Sequence, residues 1–302
     1  MKFTSNTTLD TILNGLFEPY ALRVPDVNNI TSGMITKGLI KGQSDIINDH
    51  IAFRTLGVPN LGIASLERIF LHYGYTRQDR YFFEQKKLNA HWYKPPTEKY
   101  PRVFISELRV DELSPKSSDI LKKYTNNITH DPLDDIDFND PNALVQFLHH
   151  PLWRLPTWRD YNAVLSTSEY GAWVLYNRYY LNHYTISVHA LPKPYNKLEA
   201  FNTLLKSLGV RLNNAGGEIK TSADKLLRQS STVAQMITST FADGEKHKIA
   251  GSYVEFAERA VLPEFTHLAE EELSSIHRRD GFEVNSANKI FESTFQKQTI
   301  RN

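Results

Sequence analysis

DHIAFRTL, residues 49–56, and LNHYTISVH, residues 181–189, decide how this chain is read. In the first, strand alternation puts His50, Ala52 and Arg54 on one face and Ile51, Phe53 and Thr55 on the other. The second is again a strand, and Asn182-His183 answers Asp49-His50. Outward from the first, a turn at Gly57–Pro59 and Gly62 leads into SLERIFLHYGY, a helix closed by Gly74. RYFFEQ, NAHWYKP and PRVFISELRV then read as three more strands. Outward from the second, a turn at Pro192–Pro194 leads into KLEAFNTLLKSLGV, closed by Gly209, and GVRLNN, LLRQSSTVAQMI and IAGSYVEFAER read as strands. His50 and His183 are 133 residues apart, and Leu66–Glu67 precedes Leu198–Glu199 by 132, so strand and helix keep their spacing. That order marks a duplicated βαβββ unit.

The rest of the chain fits around the two copies. Residues 1–48 form a helical lead-in, with Leu9, Ile12, Leu13 and Leu16 on one helical face. Residues 49–113 are the first module and 179–262 the second. Between them, 114–178 is a mainly helical insertion that carries Trp153, Trp158 and Trp173, and 263–302 is a helical segment closing the site. The fold class expected is α+β: paired βαβββ modules forming a half-barrel around a metal, with the helical insertion and the helical lead-in added.

Composition narrows the function. With 35 Lys+Arg against 34 Asp+Glu the formal charge is +1, so no global field draws the 302-residue chain to nucleic acid or anionic membranes. Cysteine is absent, which excludes disulfides, a thiolate nucleophile and a thiolate zinc site. Any metal must sit on His and carboxylates. The opening MKFTSNTTLDTILNGLF lacks the basic and apolar runs of a secretory signal, and no apolar run is long enough to span a membrane. A soluble, cytoplasmic protein is expected, with its oligomeric state open.

A first-strand His contributed twice by a duplicated unit meets its twin if the two modules close around one cleft. Two imidazoles then need a harder third ligand. SYVEFAER offers Glu255 on one strand face and Glu258 on the other, and spacing alone favours neither. Two His and one carboxylate leave three positions of a metal open, the facial triad of non-heme Fe(II) oxygenases. A 2-oxo acid fills two of them and dioxygen the third. Arg54 lies on the His50 face, ~13 Å along the strand. Gly281-Phe282, with Asn285 and Ser286 as candidate N-caps, could aim backbone N–H groups at an anion. Tyr184, Tyr253 and Phe256 are candidates to line or back the cavity.

The repeat, the DHIAFRT and NHYTISVH strands, and YVEFAER followed by RRDGFEVNSANKIFEST resemble the 2-oxoadipate dioxygenase/decarboxylase (hydroxyglutarate synthase) family of the vicinal oxygen chelate superfamily. A remoter likeness is to the catalytic module of 4-hydroxyphenylpyruvate dioxygenase, where a Glu on an aromatic-flanked strand is the third ligand. The resemblance implies His50, His183 and Glu255 as ligands of Fe(II). It implies His50, Arg54 and Val284 as substrate contacts, with Arg54 holding the substrate's carboxylate during catalysis. The activity implied is conversion of 2-oxoadipate and O2 to 2-hydroxyglutarate and CO2, a step of lysine degradation. The chain is more compact than better-characterised members, so its pocket walls are expected to differ. Two other readings stay open: a metal-dependent isomerase or lyase on the same scaffold, and a non-catalytic small-molecule-binding module.

Overall fold

In the computed structural model, which describes residues 1–3 and 7–300, the lead-in is helical because its ends are satisfied locally. Residues 4–6 of that lead-in, and 301–302 of the closing segment, lie outside the described residues. Thr7 accepts from the Asp10 backbone N–H at 3.1 Å while Asp10 accepts from that of Thr7 at 3.2 Å, a reciprocal cap that starts α1 (Thr8–Arg23). Its Leu9, Ile12, Leu13 and Leu16 are buried, as the spacing predicts. Pro25, whose missing N–H costs nothing at a helix start, opens α2 (Pro25–Thr36).

The first module follows in the expected order: β1 (Asn48–Gly57), α3 (Ile63–His72), β2 (Thr76–Phe83), β3 (Leu88–Lys94) and β4 (Arg102–Arg109). Gly74 ends the α3 region at φ +82°, a conformation only glycine takes without strain. Leu66, Ile69 and Phe70 of α3 are fully buried, each contributing ~1.5–3 kcal/mol of transfer free energy. The insertion is helical as expected, as α4 (Pro115–Thr125), α5 (Pro141–His149), α6 (Trp158–Leu165) and α7 (Glu169–Asn177). Trp153 and Trp173 are buried, and their indole N–H groups donate to the Leu175 and Gly251 carbonyls at 2.8 and 2.9 Å.

The second module opens with β5 (His183–Ser187) and α8 (Leu198–Ser207), then departs from expectation. GVRLNN contributes only a bridge from Leu212 to Thr232. Backbone bonds from Asn213 N–H to the Ser231 carbonyl and from Val233 N–H to the Arg211 carbonyl flank that bridge, while the buried Asn213 side chain donates to the Lys289 carbonyl and the Ser293 hydroxyl of the C-terminal segment. The outer strand is the short β6 (Lys220–Thr221), followed by β7 (Leu227–Ser231). LLRQSSTVAQMI splits, because after Ser231 the chain leaves the sheet and forms a separate hairpin of β8 (Met236–Thr240) and β9 (Lys246–Ala250). IAGSYVEFAER also breaks, at Gly251 and Ser252, before β10 (Tyr253–Arg259).

Eight strands make one curled sheet in the order β2-β3-β4-β1-β5-β10-β7-β6. β4 runs parallel to β1, β10 parallel to β5, and β1 meets β5 antiparallel at the centre. β10 therefore stands in the second half where β4 stands in the first. The chain closes with α9 (Val284–Ile290) and α10 (Gln296–Thr299). No described helix is long and apolar enough to cross a membrane.

Candidate metal centre and substrate cavity

The central β1–β5 pairing sets Ala52 opposite His183, which makes His50 the diagonal neighbour of His183 on the concave face. Their Nε2 atoms are 3.4 Å apart with the rings nearly perpendicular, at 84°. Glu255 enters from β10, where it pairs with Thr185, and its Oε2 lies 3.0 Å from His183 Nε2 and 3.5 Å from His50 Nε2. All three side chains are buried, and their donor atoms lie within 4.8 Å of one another.

What distinguishes this from a polar core cluster is the outward-facing atoms. His50 Nδ1 bonds Asp49 Oδ1 at 2.8 Å, and His183 Nδ1 bonds Asn182 Oδ1 at 3.0 Å. Gln229 Nε2 donates to Glu255 Oε1 at 2.6 Å. Each group is thus fixed from behind while its remaining donor faces the other two, the arrangement by which proteins orient metal ligands. The donor set suits a divalent metal, and the three residues could hold one.

Local irregularities make this possible. A register shift between Asn48 and Ile51 breaks the alternation of β1, letting Asp49 swing alongside the neighbouring His50. Asn182 immediately precedes the first residue of β5, and its side chain turns back onto the His183 ring. Asp49 is clamped by Arg259, whose Nε and Nη2 donate to it at 2.6 and 2.9 Å. Burial alone raises the Asp49 carboxyl, but Arg259, His50 and Arg102 outweigh it and hold it well below its usual range. Burial likewise works against the Glu255 charge, yet the two imidazoles bring its carboxyl down to about 2. His183 is pushed down to about 4 by burial, against the pull of Glu255, so it stays neutral and able to ligate.

Glu258, three residues on, faces away. It accepts from Lys197 Nζ at 2.8 Å, Arg228 Nη1 at 3.2 Å and the Leu198 backbone N–H at 3.0 Å, anchoring the start of α8. Alternation also separates the aromatic candidates. Tyr253 lines the cavity, whereas Tyr184 packs on Phe17 and Tyr20 and Phe256 on Phe201, all on the outer face.

The cavity is small, about 20 Å³, and is lined by the triad with Phe104, Gln229, Tyr253, Phe282 and Phe291. Phe282 sets its ring edge-on to His50 with centroids 4.8 Å apart. The turn carrying it is held by Arg259, whose Nη1 donates to the Gly281 carbonyl at 2.8 Å. Asn285 and Ser286 do not cap α9, as was expected from the sequence; they lie inside it, and Glu283 precedes it without a side-chain bond. The Gly281 and Phe282 N–H groups are already used, by Asp280 and the Tyr81 hydroxyl. Val284 is 36% exposed and outside the cavity lining, because Phe282 is the residue of this turn that points inward.

Arg54 is 1% exposed and makes no ion pair among the described residues. Nη1 donates to Thr294 Oγ1 at 2.8 Å and Nη2 to the Phe291 carbonyl at 3.0 Å, while Nε has no acceptor. The rings of Tyr170, Trp173 and Phe291 surround it at 5.2 to 5.5 Å. It does not line the cavity itself, but Tyr253 and Phe291 beside it do. A buried guanidinium without a counter-ion is costly unless an anion arrives to pair with it.

Sequence reasoning missed Asp49, Arg259, Gln229 and Phe104 as parts of the site, and took Phe282 only for its backbone, whereas its ring is the cavity wall. Two of them carried a signal: Asp49 in the Asp49-His50 pair that Asn182-His183 answers, and Arg259 on the Glu255 face four residues along.

Comparison with known proteins agrees with this geometry. Residues 12–276 match the family model described as 2-oxoadipate dioxygenase/decarboxylase. A protein of Arabidopsis thaliana named 2-oxoadipate dioxygenase/decarboxylase, chloroplastic, is 45% identical over 269 residues, covering 84% of this chain and 69% of that one. A chloroplastic/amyloplastic enzyme of the same name from Oryza sativa subsp. japonica is 44% identical over 266 residues, covering 85% and 71%. These relatives overturn the expected cytoplasmic location, since both are plastid enzymes. The crystal structure of the Oryza sativa hydroxyglutarate synthase in complex with 2-oxoadipate superposes with a TM-score of 0.89 at 39% identity, covering 99% of this chain and 97% of that one. With the match spanning most of its length, this chain belongs to the 2-oxoadipate dioxygenase/decarboxylase family.

Proposed function

We propose that this chain is an Fe(II)-dependent dioxygenase that converts 2-oxoadipate and O2 to 2-hydroxyglutarate and CO2. The observation that carries the reading is the pairing of a three-donor cluster open on one side with the buried, unpaired Arg54, separated along β1 only by the small Ala52. The relatives' names and the 2-oxoadipate held by the rice enzyme supply the substrate.

Iron bound by His50, His183 and Glu255 would supply the one-electron chemistry with dioxygen that oxidative decarboxylation needs. The reaction balances: C1 leaves as CO2, one oxygen atom enters the new carboxylate at the former C2, and the other enters the hydroxyl on the adjacent carbon. The protein's own residues bind, orient and shield. Asp49, Asn182 and Gln229 fix the three ligands in direction. Arg54 pairs with the distal carboxylate and thereby sets which carbon faces the metal; a bidentate guanidinium suits that task better than an ammonium. Phe104, Phe282 and Phe291 keep water from the reacting carbons.

A cavity of about 20 Å³ has room for about one water. Substrate entry must widen it, and segment 282–291 is the wall able to give, since the others are sheet strands. Val284 lies in that segment, and the proposal keeps it as a backbone contact formed on substrate entry. Anaerobic incubation tests the reaction class. Oxygen-dependent CO2 release supports the dioxygenase, and turnover without oxygen would favour the isomerase or lyase.

A further inference from the structure

The Tyr253 phenol is fixed on every side but one. Its ring leans on His183 with centroids 4.7 Å apart and a 30° interplanar angle, and packs with Ala234 and Ile290. Its backbone carbonyl accepts from the Tyr20 hydroxyl of α1, pinning the residue from behind. Its own hydroxyl is buried and has no hydrogen-bond partner. The Arg54 guanidinium lies close enough to act on that phenol, and Arg54 Nε and Gln229 Oε1 are further buried polar atoms here without a partner. Two such orphaned donors on neighbouring side chains, one lining the cavity and the other just behind its wall, are uncommon, because an orphaned buried polar group costs stability unless something fills the gap.

We infer that Tyr253 is a second carboxylate anchor: its hydroxyl donates to the same distal carboxylate that Arg54 pairs with. The inference rests on the reading of Arg54 given above. One carboxylate has about four lone-pair sites, enough for a guanidinium and a phenol together. Because the ring leans on His183, the anchor holds the acid's far end at a fixed distance from the metal centre. Tyr253 then selects six-carbon 2-oxo diacids over monoacids of equal length.

The test uses the full chain loaded with Zn(II) under nitrogen, so that binding is measured without turnover. Dissociation constants for 2-oxoadipate and for 2-oxohexanoate are taken by calorimetry for wild type, Tyr253→Phe and Arg54→Lys, with zinc content measured alongside. Tyr253→Phe keeps ring and packing, so the variant should fold and retain zinc. It should weaken 2-oxoadipate roughly 10-fold or more, the usual consequence of losing a hydrogen bond to a charged group, and leave 2-oxohexanoate within about twofold. Equal weakening of both acids, no weakening of either, or loss of zinc would overturn the inference. Arg54→Lys separates the two claims. If it shows no diacid-specific loss, the Arg54 reading fails; if it does and Tyr253→Phe does not, only the Tyr253 anchor fails.

Discussion

Phe104 and Glu255 occupy the same register position in the two halves of the sheet. Phe104 pairs with Ala52 across β4 and β1, Glu255 pairs with Thr185 across β10 and β5, and 52 and 185 differ by 133, the offset that relates His50 to His183. By the symmetry of the repeat, the first module could have supplied a fourth ligand. It supplies an aromatic wall instead, packed 5.0 Å from Phe282, so no carboxylate from β4 joins the three donors on that side.

Replacing Phe104 by Glu should therefore close the site. Metal affinity is expected to rise by about tenfold or more, equivalent to ~1.4 kcal/mol of added coordination, while oxygen uptake with 2-oxoadipate falls. The ligand-field spectrum of the Co(II)-loaded variant checks this. A spectrum and affinity like those of wild type would show that position 104 does not face the metal.

Glu255 and Glu258 should separate cleanly. Glu255→Ala is expected to lose metal, as are His50→Ala and His183→Ala. Glu258→Ala should keep metal but lose ~1–3 kcal/mol of stability, because the α8 start and Lys197 are left without their acceptor while Arg228 keeps only Glu199. Metal analysis and urea unfolding of the two variants decide it.

Gln229→Leu removes the bond that aims Glu255 while leaving all three ligands. Affinity for metal should drop about 10- to 100-fold, the usual loss when a ligand's outer partner is deleted. An unchanged affinity would mean that Glu255 is oriented by packing alone.

Arg54→Ala should retain metal and lose roughly 10- to 150-fold in kcat/KM for 2-oxoadipate, the range for a charge-assisted contact worth ~1.5–3 kcal/mol. Monocarboxylic 2-oxo acids should lose much less. Equal losses on both substrate types would remove Arg54 as the distal carboxylate's partner.

These residues were legible in the sequence to different degrees. His50 and His183 stood out because a repeat makes its own alignment, and strand period two then placed Arg54 beside them. Glu255 could not be chosen over Glu258 by spacing, and the resemblance chose it; the structure shows the physical difference, one facing the imidazoles and the other the helix start. Asp49 was hidden by the same alternation that revealed His50, because only a register shift in β1 brings both side chains to one place. Gln229 and Phe104 act through pairing across strands, which depends on register that a single sequence does not state. The second module's strands were overcounted where GVRLNN keeps only a single bridge to the sheet and a detached hairpin leaves it.

The most direct test of the account is the stoichiometry of Fe(II)-loaded protein supplied with 2-oxoadipate. Oxygen uptake, CO2 release and 2-hydroxyglutarate formation are followed together, over a panel of other 2-oxo acids. The account predicts a ratio near one to one to one, greatest for 2-oxoadipate and abolished in His183→Ala. Conversion of 2-oxoadipate without oxygen uptake, or CO2 release with no hydroxylated product, would contradict it.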